Sequence, residues 1–290
     1  MSKSAILSSS IAKKYWMAVT GLFLCLFLVG HLLGNLQLVM KTGEEGRRAF
    51  NEYAYFMSHN IFIKVLSYAT YISILFHAVD GIMLALQNKK ARPVNYVYNN
   101  PSANSSGAAR KMAVLGTAIL VFIVIHMANF WWKMKYSSEP MPIHTYVVSS
   151  TDQTGQSKTD TLYYTHTPSL QPVPTNPMIV VKNGTELYFK DVNVKVGDTY
   201  KDLHKIVMSF FGKSINGAPT NQYALFAVIL YVLSMAILSF HLMHGFSSAF
   251  QSLGLNHKKY TPSIKLFGKI FAIVVPAAFA IIPVLIFLSK

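Results

Sequence analysis

Histidines are where this chain could do chemistry. Of its 10 histidines, five fall inside long apolar stretches: His31, His77, His126, His241 and His244. An imidazole in a hydrocarbon environment needs a partner, and a neutral ring nitrogen is either a hydrogen-bonding group or a metal ligand. One such residue reads as a helix–helix hydrogen bond, worth about 1 kcal/mol or less. Here the first four apolar stretches each carry at least one histidine and the fifth carries none. That distribution suits a ligand set, because sites in helical bundles are assembled from side chains on facing helices.

The elements that would position these residues are legible in the composition. Hydrophobic residues make up 52% of the chain and charged residues only 13%, against about a quarter in soluble domains. Five apolar runs account for this, near 15–40, 61–88, 111–136, 222–253 and 266–289, each long enough to cross a bilayer as a helix of about 20 residues. The first run is too long for a signal peptide and lacks its cleavage site, so it reads as a retained span. A lone cysteine, Cys25, offers neither a disulfide framework nor a thiolate metal site. The net charge of +15 would suggest nucleic acid in a soluble protein. Here the basic residues flank spans, which points to lipid and membrane topology instead. Lys13 and Lys14 precede span 1, Lys89 to Lys111 lie between spans 2 and 3, and Lys258 to Lys269 lie between spans 4 and 5. The positive-inside rule then places these segments and the N-terminus in the cytoplasm. Trp131, Trp132 and Tyr136 would form an interfacial belt at the outer end of span 3.

The expected fold is therefore an all-α integral membrane protein, a bundle of five transmembrane helices with a small external insertion. Residues 1–136 hold helices 1–3, residues 137–219 form the external, periplasmic insertion, and residues 220–290 hold helices 4–5. In the insertion, "MIVVKNGTELYFKDVNVKV" reads as a β-hairpin about an Asn183-Gly184 turn, and "DTYKDLHKIVMSFF" as a short amphipathic helix returning to the membrane.

Depth sorts the histidines. At 1.5 Å per residue, His31 and His126 lie ~25 and ~23 Å from the inner boundary, and His77 and His241 ~18–20 Å. Spans 1 and 3 would supply an outer pair, and spans 2 and 4 an inner pair. Two bis-histidine sites at different depths describe two haems arranged for electron transfer. Zinc is the competing metal for these ligands but needs a third or fourth His, Cys or carboxylate at the same height. The outer pair has none in the sequence, whereas the inner pair has His244 and Asp80 nearby. Asp80 could also pair with His244 or serve a proton path. Glycines beside the ligands would make room for a flat cofactor: Gly81 four residues after His77, Gly245 four after His241, and Gly30 and Gly34 around His31.

The motifs "MAVTGLFLCLFLVGHLLGNLQLVM", "FNEYAYF", "FHAVDGIMLALQNKKARPVNY", "VIHM" and "SFHLMHGFSSAFQSLGLNH" resemble those of a known family. This is the cytochrome b membrane-anchor subunit of succinate dehydrogenase/fumarate reductase, in the single-chain, five-helix, di-haem type of bacteria and its Bacteroidetes-like form. The resemblance covers spans 1–4 and, by placement, span 5. It implies two b-type haems in the bacterial cytoplasmic (inner) membrane, ligated by His31 with His126 and by His77 with His241. It also implies flavoprotein and iron–sulfur partner subunits on the cytoplasmic side, which carry the dicarboxylate chemistry, and menaquinone as redox substrate. In helix 4 the family pattern fits His241, Gly245 and Gly254 but not His244. Met17 and Ala18 stand where some members hold haem propionates, which leaves Ser10, Lys14, His244 and Gln251 as candidate anchors. Glu52, with Tyr53 and His59 behind it, is the candidate quinone group, against the plain reading of solvated loop residues. The alternatives are a cytochrome b of another quinone-linked dehydrogenase, of hydrogenase or formate dehydrogenase type, and a non-redox transporter.

Overall fold

The computed structural model describes residues 9–91, 93, 94, 98, 100, 103, 105–136, 141–151, 155–166 and 172–290. Five helices are long and apolar enough to span a membrane: Ile11–Met40, Ile61–Ala91, Met112–Tyr136, Ala224–Ser252 and Thr261–Leu288. The chain is a multi-pass membrane protein, mostly helical, with a small β region inserted between the third and fourth spans.

Local chemistry sets the helix ends. Helix α1 (Ser10–Met40) starts where the Ser9 hydroxyl accepts from the Ala12 amide at 3.1 Å, satisfying one of the orphan donors of a first turn. A shorter helix not anticipated from the sequence, α2 (Gly43–His59), follows at once. Asn60 closes α2 and opens α3 (Ile61–Ala91), its side-chain oxygen accepting from the amides of Phe62 and Ile63. After the one-turn helix α4 (Gly107–Arg110), the third span runs through α5 (Met112–Met127), a π-helical turn at Ala128–Trp132, and α6 (Lys133–Tyr136). The fourth span is α8 (Ala224–Ser252), preceded by the short α7 (Leu203–Phe210). The fifth is α9 (Thr261–Leu288), which begins earlier than the apolar run because a proline sits in its first turn, where its fixed φ favours a helix start.

The spans pack as a ring with one helix outside it. Helix α1 packs on α3 and α8, and α5 packs on the same two. Hence α1 and α5 face each other diagonally, as do α3 and α8, and α9 lies against α8 and α1. Packing is uneven around the ring. Residues of α8 and α9 build two buried clusters with α1, whereas α3 buries only Thr70 and Leu84, and α5 buries none of its described residues.

The insertion forms two three-stranded antiparallel sheets. One contains β1 (Thr145–Thr151), β2 (Ser157–Tyr163) and β3 (Val173–Pro174); the other contains β4 (Ile179–Lys182), β5 (Glu186–Phe189) and β6 (Lys195–Asp198). The expected hairpin is β4–β5, with Asn183 at φ 50 and Gly184 at φ 82. Two successive positive φ values form the tight turn closed by the Thr185 amide on the Lys182 carbonyl within the three-residue connection, which is why Asn-Gly suits it. Val173, Ile179 and Leu187 make a small core shared by both sheets. The expected amphipathic helix is α7, capped by the Asp202 carboxylate, which accepts from the Lys205 amide at 3.0 Å.

Candidate functional site

Across both diagonals of the ring, histidines meet. His31 on α1 faces His126 on α5, with ring centroids 5.8 Å apart and planes at 86°. His77 on α3 faces His241 on α8, at 6.2 Å and 71°. Edge-to-face ring pairs fall in the same range of spacing. A metal held between two imidazoles, about 2 Å from each nitrogen, also puts the centroids about 6 Å apart. All four rings are half-buried, because they line one cavity of about 1650 Å³ inside the ring of helices. Pockets for a single small molecule run to roughly 300–1,000 Å³, so this one has room for more than one large group.

Three helices report the same separation between the pairs. Gly21 abuts His77, and His31 lies ten residues further along α1. Gly116 abuts His241, and His126 lies ten residues further along α5. Tyr231 reaches His126, and His241 lies ten residues further along α8. At 1.5 Å rise the two pairs sit about 15 Å apart along the bundle. Heights counted from Lys14 and Lys89 as one level differ by only about 5 Å. Helix α3 in fact runs on to Ala91, well below the height of Lys14. The His31–His126 pair lies nearer the insertion, and the His77–His241 pair nearer the basic loops.

Neighbouring groups orient the rings. His77 Nδ1 lies 3.2 Å from the Met17 carbonyl and 3.3 Å from the Thr20 hydroxyl. A carbonyl only accepts, so this contact puts the hydrogen on Nδ1 and leaves Nε2 with a free lone pair. His126 Nδ1 is 3.2 Å from the Tyr231 hydroxyl. Asn35 Nδ2 donates to the His31 carbonyl at 2.7 Å and lies 3.5 Å from His31 Nδ1. His241 Nδ1 is buried without a hydrogen-bond partner. Partners on the second nitrogen are typical of ligating histidines, since they fix tautomer and orientation. Among the described residues, no three His, Cys, Asp or Glu side chains gather into a metal-binding group. That deprives zinc of the further ligands it requires, while a haem iron needs only the facing pair.

The glycines behave differently from one another. A Cβ on Gly21 would lie 3.1 Å from His77 Cε1, and one on Gly116 would lie 3.6 Å from His241 Cε1. These two, which the spacing reading passed over, let α1 and α5 approach the rings. Gly81 and Gly245 line the cavity with only a methionine tip 3.9 Å away. Gly30 faces open space and is outside the cavity wall, and Gly34 makes room for the Tyr53 ring, whose hydroxyl a Cβ would meet at 2.7 Å.

Of the candidate anion anchors, Lys14 and His244 line the cavity near the basic loops, together with Arg110 and Ser248. Gln251 is exposed and off the wall. Ser10 opens α1, and its side chain lies outside the described residues. Asp80 is half-buried and also off the wall, so the cavity does not join it to His244. Of the candidate quinone residues, only Tyr53 lines the cavity, near the insertion, where Lys64, Tyr71 and Trp131 also line it. Glu52 hydrogen-bonds the Tyr164 hydroxyl of the insertion, and His59 is exposed and stacked on Tyr55 at 3.9 Å.

The insertion is locked to α2 by a buried polar cluster that no sequence motif announced. Arg47 donates to Asp202 Oδ2 from two nitrogens, at 2.9 and 2.5 Å, and to the Thr145 carbonyl at 2.8 Å. Asn51 Nδ2 donates to Asp202 Oδ1 at 2.8 Å, and its oxygen accepts from the His204 amide at 3.0 Å. His144, fully buried, reaches Glu44 at 2.7 Å. Burial alone would raise the Asp202 carboxyl, but the Arg47 guanidinium and the other donors hold it below the usual range. Burial pushes His144 down and takes His204 to about 4. The clasp seats Val207 and Phe211 over the bundle in a cluster with Leu38, Phe50 and Tyr231, closing the cavity beside His126. No protein-family model, curated protein or solved structure matches the chain.

Proposed function

We propose that this chain is the di-haem cytochrome b membrane anchor of a succinate:quinone oxidoreductase. It would carry electrons between an iron–sulfur subunit on the cytoplasmic side and membrane quinone, of the menaquinone type. The observation that carries this reading is the pair of diagonal histidine contacts, 5.8 and 6.2 Å between centroids, set about 15 Å apart in one cavity. His31 and His126 would hold the haem nearer the insertion, and His77 and His241 the one nearer the basic loops. Each haem would supply a one-electron iron couple, held by its pair of histidines. The choice of a succinate/fumarate partner rests on the sequence resemblance.

The chain's own residues do the rest. The Met17 carbonyl, and the phenol of Tyr231, hold His77 and His126 in orientation through Nδ1. Gly21 and Gly116 bring the helices close enough for the rings to meet. Lys14 and His244 line the cavity at the basic end and would offer cationic and hydrogen-bonding groups to cofactor carboxylates. Tyr53 is the candidate donor to a quinone carbonyl near the insertion. The basic loops support a topology with the N-terminus cytoplasmic and the insertion periplasmic, in a bacterial inner membrane.

Visible spectroscopy and cofactor assay of the purified protein test this. Two low-spin b-type haems per chain are expected, reducible by a quinol. A protein with no reducible low-spin bands would overturn the reading. Affinity capture through this chain should then return a flavoprotein and an iron–sulfur protein that oxidise succinate. Capture of a different dehydrogenase would replace the succinate assignment and leave the haem assignment standing.

A further inference from the structure

Of the four facing histidines, His126 has its second nitrogen matched to a phenol from a different helix, whereas His77 meets the Met17 carbonyl at 3.2 Å and, beside it at 3.3 Å, a Thr20 hydroxyl that already donates to the Trp16 carbonyl. Tyr231 is 8% exposed, with its ring set against Phe122, Phe210 and Phe211 at 5.0, 5.9 and 5.1 Å. That packing fixes the hydroxyl, 3.2 Å from His126 Nδ1. We propose that Tyr231 is a positioning residue that sets the reduction potential of the iron held by His31 and His126 apart from that of the other iron. This inference rests on the di-haem reading.

Ligation through His126 Nε2 requires the hydrogen to be on Nδ1. The phenolic oxygen of Tyr231 then accepts it. An acceptor on that hydrogen makes the imidazole a stronger donor to the metal, which favours the oxidised iron over the reduced one. The other site is built differently. His77 donates to the Met17 backbone carbonyl, the Thr20 hydroxyl beside it spends its hydrogen on the Trp16 carbonyl at 2.7 Å, and His241 Nδ1 has no partner, so neither ring is held by a phenol. At His31, Asn35 already donates to the His31 carbonyl at 2.7 Å and stands 3.5 Å from the ring nitrogen. At the insertion-side pair the Tyr231 hydroxyl is therefore the group placed to tune the iron through a ligand nitrogen.

Loss of an outer partner costs roughly 10–100-fold in metal affinity. Where the oxidised state alone bears a tenfold loss, the midpoint of a one-electron couple rises by about 59 mV. The experiment is a redox titration of the purified full chain, followed by visible and low-spin electron paramagnetic resonance spectra, for wild type, Tyr231→Phe and Phe210→Leu. Tyr231→Phe keeps the ring packing and removes only the oxygen. It should raise the midpoint of the component that His126→Ala abolishes and leave the other unchanged. Phe210→Leu disturbs the packing on Tyr231 from off the cavity wall, away from the His126 ring, and should shift neither. The proposal is overturned if Tyr231→Phe moves neither midpoint, moves both equally, or moves no more than Phe210→Leu does. If wild type lacks low-spin bands, the di-haem reading itself has failed. If wild type has both bands and Tyr231→Phe does not move them apart, only the role of Tyr231 has failed.

Discussion

The two histidine pairs are alike in spacing and opposite in support. At the basic end, His77 and His241 are held mainly by backbone: a carbonyl at Met17, with the Thr20 hydroxyl beside it, and two glycines, Gly21 and Gly116, that let the helices close in. At the insertion end, His31 and His126 are held by side chains, Asn35 and Tyr231, beneath an aromatic cluster that includes Phe122, Phe130 and Phe211. A site supported by backbone tolerates side-chain exchange around it but not added bulk. A site supported by side chains can be retuned by single substitutions and depends on whatever keeps its cover in place. The difference teaches where each pair is vulnerable.

The largest effect tests the pairing itself. His31→Ala and His126→Ala should each delete the same spectral component and leave one haem per chain, and His77→Ala and His241→Ala should each delete the other. His244→Ala should keep both, because His244 lines the cavity without facing another histidine ring in either pair. If His31→Ala and His77→Ala removed the same component, the diagonal arrangement would not describe the ligands. Next in size is added bulk at the backbone-supported site. Gly21→Leu places its side chain where even a Cβ stands 3.1 Å from His77, so the ring must move. Loss of the basic-side component with retention of the other is expected, read from the same spectra.

The side-chain-supported site should be broken from outside the membrane. Removing one partner of a buried ion pair costs about 3–5 kcal/mol, because the remaining charge stays buried and unpaired. Arg47→Ala leaves Asp202, which has no solvent exposure, in that state. Limited proteolysis should then cut the insertion faster, and the insertion-side component should become easier to displace with imidazole than the basic-side one. The clasp also carries a pH dependence. His204 has a folded-state value near 4 against 6.5 in the unfolded chain, and His144 is lowered too. Below pH 6.5 the unfolded chain binds protons that the folded one refuses. Stability contributed by these rings is therefore full above 6.5 and declines as pH falls towards about 4. Asp202 acts in the same direction at lower pH, since its depressed carboxyl stabilises the fold above its unfolded value and loses that contribution as pH falls through the folded one. His204→Phe, which keeps a ring against Phe50, should flatten the upper part of the profile. A slope unchanged in that variant would put the titrating group elsewhere.

The sequence made some of this legible and hid the rest for physical reasons. Spans declare themselves by length and apolar composition, and the β4–β5 hairpin by Asn183-Gly184, because each signal is local. The sorting of four histidines into two pairs could be read from distance to the span ends. Its magnitude could not, since helices end at different heights in a bundle and α3 overshoots Lys14. The clasp was invisible because Arg47 and Asp202, or Asn51 and His144, are far apart in the chain and none belongs to a periodic pattern. Gly21 and Gly116 were missed because glycines were sought next to the ligands in sequence. They lie opposite the ligands, on neighbouring helices, where only tertiary structure can put them.

The smallest expected effect separates two adjacent residues. Glu52 and Tyr53 are neighbours on α2, yet a helix turns about 100° per residue, and they point to different places. Glu52 is exposed and meets Tyr164 of the insertion, while Tyr53 sits on the cavity wall against Gly34. Glu52→Gln removes the charge from an exposed contact with the Tyr164 hydroxyl and leaves an oxygen to accept from it. Its quinone kinetics and both midpoints should stay within error of wild type. Tyr53→Phe keeps the ring that fills the space over Gly34 and removes only the hydroxyl, so a rise in the KM for quinol with an unchanged haem content is expected. Steady-state quinol oxidation with both variants decides the matter. If Glu52→Gln raised KM and Tyr53→Phe did not, quinone would engage the face of α2 that carries the insertion, and the cavity end beside His31 would lose its assignment as the quinone site.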